Sequence, residues 1–84
     1  MQHKTEAFTA QVSEFYLSDG ADFDMPDAVG MNNYAFAVKN IGESTITGTP
    51  IEGQTVDEQN SHTIEPGKWC QYVGDGENWF SFNN

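Results

Sequence analysis

The sequence predicts an all-β fold, a small β-sandwich or jelly-roll-like antiparallel barrel of about seven short strands. Three observations carry that expectation. Apolar and polar residues alternate over short runs, each closed by Gly, Asn, Asp or Pro, the residues that turn a chain for backbone reasons. No segment of useful length repeats at helical spacing between caps. Thr, Ile, Val and aromatic side chains, which suit a pleated, half-buried surface, are frequent, and 13% of the residues are aromatic. A length of 84 residues allows one domain, 1–84. A chain that short buries only about 60% of the surface its unfolded form exposes, so the core is thin and a deep cleft is excluded.

The elements follow in order. Residues 1–6 are polar and unpatterned, and read as a flexible arm or a frayed terminus. Phe8, Ala10 and Val12 then fall on one side of a strand, and Phe15 and Leu17 resume one residue out of step, which places a bulge near Glu14. A helix from Thr5 to Leu17 also fits Phe8, Val12, Phe15 and Tyr16; the alternation favours the strand. Residues 18–31, with Asp19, Gly20, Asp22, Asp24, Pro26, Asp27 and Gly30, read as an irregular acidic loop. Tyr34, Phe36 and Val38 alternate with Ala35, Ala37 and Lys39 before a turn at Asn40 and Gly42. Short strands are expected at Thr45–Thr47, at Thr55 and Val56, and at Thr63 and Ile64, which Pro66-Gly67 closes. Trp69 to Val73 and Trp79 to Phe82 form a hairpin about Gly74-Asp75-Gly76.

Charge restricts the partners. Thirteen Asp+Glu stand against three Lys+Arg, a formal charge of −10, and the cations are Lys4, Lys39 and Lys68. Nucleic acid, bound through basic side chains, and anionic membrane surfaces are both disfavoured. The single Cys70 cannot form an internal disulfide, which fits a reducing compartment, or a particle assembled inside a cell. No apolar run at the N-terminus reads as a signal peptide, and none is long enough to span a bilayer.

No chemistry-bearing group in the sequence is convincing. Asp19, Asp22, Asp24 and Asp27 invite calcium, but their spacing departs from the calcium loop of helix–loop–helix proteins and solvated acids explain them better. His62 beside Ser61, or with Ser44, lacks the strand–turn–helix elbow of a hydrolase nucleophile. Asp75 and Glu77 could pair as glycosidase carboxyls, yet both flank a hairpin turn that selects such residues anyway. The expectation is no enzyme, no metal and no cofactor. Trp69, Tyr72, Trp79, Phe80 and Phe82 converge on the last hairpin, where alternation sets Trp69, Gln71 and Val73 against Cys70 and Tyr72, and Trp79 and Ser81 against Phe80 and Phe82. With so little other apolar mass, these five rings read as core or subunit interface in preference to a glycan-stacking platform.

The second half also carries an ordered set of turn motifs. They are Val38-Lys39-Asn40-Ile41-Gly42, Ser44-Thr45-Ile46-Thr47, Gly53-Gln54-Thr55-Val56, His62-Thr63-Ile64-Glu65-Pro66-Gly67-Lys68-Trp69 and Gly74-Asp75-Gly76-Glu77-Asn78-Trp79-Phe80. From Tyr34 to Phe82 this resembles the small β-domain of tailed-bacteriophage virion proteins, which occurs at fibre tips and as capsid decoration (cement) proteins. Gly74 stands where that pattern has Ser and Phe80 where it has Tyr; the first half has no counterpart. The resemblance implies a non-enzymatic structural protein on the capsid surface of a virion, bound to the major capsid protein and forming a homo-oligomer, a trimer by preference. A fibre-tip module for a receptor or glycan is the alternative. Opening on Met1 and lacking a fibre shaft, the chain is expected to be a separate decoration protein, its residues 1–6 ordering on the capsid or a neighbour.

Overall fold

Local alternation and dense turn chemistry give this chain strands and nothing longer. In the computed structural model, which describes residues 1–82, nine short strands form two sheets and no helix occurs among the described residues. They are β1 (Gln2–Lys4), β2 (Phe8–Thr9), β3 (Phe15–Ser18), β4 (Phe23–Asp24), β5 (Ala35–Asn40), β6 (Ile46–Thr49), β7 (His62–Ile64), β8 (Trp69–Gly74) and β9 (Trp79–Phe82). A five-stranded sheet has the order β1-β3-β5-β8-β9, and a four-stranded sheet the order β2-β4-β6-β7.

For its first six strands the chain changes sheet at every step. β1, β3 and β5 therefore pair with one another in parallel, as do β2, β4 and β6. Only β5–β8, β6–β7 and β8–β9 are antiparallel. This corrects the expectation of an antiparallel barrel: four of the seven ladders are parallel, and among the described residues the sheets do not close on themselves. The reason is physical. Alternation reports which face of a strand is buried, not which strand lies beside it, and a parallel pair needs a crossover between its members. Here each crossover is a strand of the opposite sheet.

The strand count differs for a related reason. β2 and β4 have two residues each, too few to leave a periodic trace, and β1 and β4 lie in the segments read as arm and acidic loop. The step near Glu14 is a turn through Ser13, whose φ of 68° is left-handed, not a bulge within one strand. Thr55 and Val56 form no strand; Val56 makes isolated bridges to Gln59 and Trp79. Segment 18–31 is also less loose than its composition suggests, because Ala21, Phe23, Met25 and Ala28 are all buried while Asp22 and Asp24 point to water.

The core lies between the sheets. Tyr16, Phe36, Val38, Cys70, Tyr72 and Trp79 of the five-stranded sheet meet Phe23, Ile46 and Ile64 of the other. Phe36 and Trp79 pack edge-to-face at 5.1 Å between centroids, and Phe23 reaches across to Tyr72 at 5.9 Å. Each such pair adds about 0.5–1.5 kcal/mol beyond the area it buries. The hairpin β8–β9 forms as the sequence expects, and the Trp79 indole Nε1 donates to Pro26 O at 2.9 Å, tying segment 18–31 to it.

Two polar residues are fully buried, Ser18 and Asn40. They are ladder partners, and the chain leaves the five-stranded sheet just after each. Ser18 Oγ donates to Ala21 O at 2.6 Å and accepts from Ala21 N at 3.1 Å. Asn40 Nδ2 donates to Ser44 O and Ile64 O, at 2.8 and 2.9 Å, while Oδ1 accepts from Gly42 N at 3.0 Å. Their side chains thus replace the backbone bonds that a corner between sheets forfeits.

Candidate functional site

Three of the carboxylates singled out for chemistry, Asp22, Asp27 and Asp75, hold loops. Asp22 Oδ1 accepts from Thr47 N, and Asp27 Oδ1 from Val29 N and Gln54 Nε2. Those donors, the Val29 N–H first, hold the Asp27 carboxyl below the usual carboxylate range. Among the described residues no three His, Cys, Asp or Glu gather as metal ligands. Asp75 Oδ1 accepts from the N–H groups of Glu77 and Asn78, which bring its pKa down and build the hairpin turn. That role suits a turn, where an Asp bonding its own backbone is the usual device.

His62 meets a phenol: Nδ1 is hydrogen-bonded to Tyr72 Oη at 2.8 Å, and the ring stands edge-on to that of Tyr72. Cys70 lies nearby, fully buried, and burial pushes its thiol pKa up, the opposite of what a nucleophile needs. Asp57, half-buried and left-handed at φ 52°, takes both the Ser81 N–H and the Ser81 hydroxyl, and so secures β9.

The five ring candidates divide. Tyr72 and Trp79 are fully buried between the sheets. Trp69, Phe80 and Phe82 project from the opposite, outer face of the five-stranded sheet, with Trp69 43% and Phe82 55% exposed. Strand register assembles three rows there. His3, Leu17, Lys39 and Trp69 form one row. Phe15, Ala37, Gln71 and Phe82 form the next, and Ala35, Val73 and Phe80 the third. Phe15, 54% exposed, and Leu17 belong to this face although sequence reading did not place them with the hairpin. Phe15, Leu17, Lys39, Trp69 and Met1 also rim a shallow open depression of about 250 Å³.

The electrostatics of this face are unlike those of the chain. None of the 13 carboxylates lies on any of the five strands of this sheet; 12 are in the connections and one, Asp24, is on β4 of the other sheet. Lys4 and Lys39 are on its strands and Lys68 directly precedes β8. Lys4 is drawn over the Phe8 ring, its Nζ 5.6 Å from the centroid, which leaves Lys39 as the cation of the rows above. An apolar, aromatic, carboxylate-free surface can exclude water against another flat apolar surface; it offers no paired acid and base. A signal for it exists in the sequence, namely that every acid falls between the strand segments. That signal becomes readable only once the strands of one sheet are known.

No protein-family profile, curated protein or solved structure matches the chain.

Proposed function

We propose that the chain is a non-enzymatic structural protein of a tailed-phage virion, a decoration (cement) protein made in the host cytoplasm that binds the capsid surface and reinforces contacts between major capsid protein subunits. The single observation that carries the reading is the carboxylate-free aromatic face on an otherwise strongly acidic domain. Such a face is built for contact with a macromolecule, because apolar patches of this kind are rarely left in water without a role. The resemblance adds support, since its turn motifs occupy turn positions: Asn40 at the β5 corner, Gly67 left-handed at φ 81° and Gly76 at φ 99°. In this reading the two sheets form a β-sandwich of the jelly-roll-like type, its first half wound in parallel. The acidic connections face solvent or basic patches of the capsid, and many copies on one particle add avidity.

The exposure of Trp69 favours a second reading, a fibre-tip module that stacks on a sugar ring. It is the weaker one, because sugar hydroxyls need fixed polar partners and the outer rows supply only Gln71, Lys39 and His3. The test is co-sedimentation of the purified protein with undecorated capsids. Pelleting in a saturable ratio is expected; protein left wholly in the supernatant overturns the assignment, and Trp69→Ala loss of binding to glycans in its place establishes the second reading.

A further inference from the structure

We propose that the outer face of the five-stranded sheet is a self-association surface, on which a second copy of this chain packs sheet to sheet. The inference goes beyond the virion reading: the pair is the free form of the chain, and it opens when a capsid takes the second copy's place on the same face.

Charge selects the occupant. A basic partner is drawn to the carboxylates, and those lie on the connections and β4, off this face. A partner that fits the rows must itself be flat, apolar and poor in charge at the contact, because charged groups are depleted from the centre of interfaces. The same face of another copy has that composition. Lys39 stands on the end row, where its stem reaches past the contact towards solvent or the other copy's loop carboxylates. Geometry agrees: β-sheets share one hand of twist and pack face to face about 10 Å apart at roughly −30°. The five-stranded sheet already packs against the four-stranded one on its inner side, and a second copy adds a contact on the outer side, giving four layers.

Size sets the strength. Phe15, Trp69 and Phe82 are 54%, 43% and 55% exposed, so with about 150–250 Å² per ring they present roughly 300 Å² together. Five strands at about 4.8 Å spacing make the face about 20 Å across. With Leu17, Val73 and Phe80, each only partly exposed, it reaches roughly 400–500 Å², well short of the roughly 800 Å² per partner of a standard interface. The pair is therefore reversible, with a dissociation constant in the range of about 1–100 µM. A face-to-face contact uses the same patch on both copies and closes as a two-fold pair, in contrast to the trimer that the resemblance implies.

Salt gives the contact a signature. Two copies of charge −10 repel through their loops while the contact itself holds no acid. Screening therefore tightens the pair, whereas a contact made by opposite charges loosens. The experiment is sedimentation velocity from about 1 to 200 µM at about 0.01 M and about 1 M NaCl, where the screening length is about 30 Å and about 3 Å. Expected are twice the chain mass at high concentration and a dissociation constant at least about tenfold lower in high salt. The variants Phe15→Glu and Trp69→Glu should be monomeric throughout with unchanged melting. Ile51→Glu, at an exposed apolar site in the connection after β6 of the other sheet, should pair as the parent does. A monomer at every concentration, a trimer, a pair that loosens in high salt, or a pair indifferent to both face variants overturns the proposal. Capsid co-sedimentation is read separately, so a monomer that still pellets with capsids fails here alone.

Discussion

At the scale of single residues, Asn40 shows how much one side chain can organise. It is fully buried and satisfies three backbone groups, two in the connection after β5 and one at the end of β7. Asn40→Ala leaves the Ser44 and Ile64 carbonyls and the Gly42 N–H without that partner, at a cost of about 2–4 kcal/mol. With about 4–8 °C per kcal/mol for a domain this small, the melting temperature should fall by roughly 8–32 °C, read by circular dichroism; a fall within a few degrees would mean that water replaces the amide. The sequence showed Asn40 as a turn residue but not its burial, because its bond to Ile64 spans 24 positions and depends on which strand ends meet. Gly74 is similar. A Cβ there would lie 2.4 Å from Met31 O, so a side chain at this position would have to push that backbone aside.

At the scale of elements, the shortest strands matter out of proportion to their length. β4 contributes Phe23, whose ring covers Gly48 on the neighbouring β6, and a Cβ at Gly48 would sit 2.3 Å from the ring. The ring and the glycine therefore belong together: the pair fills the centre of the four-stranded sheet only because one partner has no side chain. Gly48→Ala should cost about 1–3 kcal/mol by overpacking, seen as a lower urea midpoint at unchanged slope; an unaltered midpoint would show that Phe23 can swing aside freely. Here sequence reading was limited by length. The hairpin β8–β9 and the β5 strand, each with several alternating residues and a strong turn, were legible, whereas two-residue strands carry no period to detect. Parallel pairing was hidden because partners 14 to 25 positions apart share no local signal.

At the scale of the whole molecule, the placement of titratable groups sets its pH limits. Burial pushes the Cys70 thiol above its ordinary 9.0 and the Tyr72 phenol far above its ordinary 10.0. A raised folded-state pKa means that the neutral form is the one the fold holds. Their contribution is therefore complete below the ordinary values and is lost as pH climbs through and past them. For Asp27 and Asp75, both held low, the sign is opposite: their contribution is present above 3.8 and lost as pH falls below it, and as exposed groups they add little. The protein should thus melt at a steady temperature near neutrality and lose several degrees above about pH 10, and Tyr72→Phe should flatten that alkaline slope. Equal slopes in parent and variant would remove the buried phenol as its cause. The outer face illustrates what composition conceals: the alternation of Trp69, Gln71 and Val73 was legible, but its continuation through Phe15 and Leu17 follows from β3 lying beside β5, a pairing no local pattern announces.

The interleaving of strands also bears on how the chain is made. The five-stranded sheet joins the first described strand to the last two, and β9, which brings Trp79 into the core, is the last strand described. A ribosome delivering the chain from its N-terminus thus exposes most of it before either layer can be completed. Folding waits until β9 has emerged and then proceeds as one event, slowly for so small a domain, since its ladders join residues far apart along the polymer.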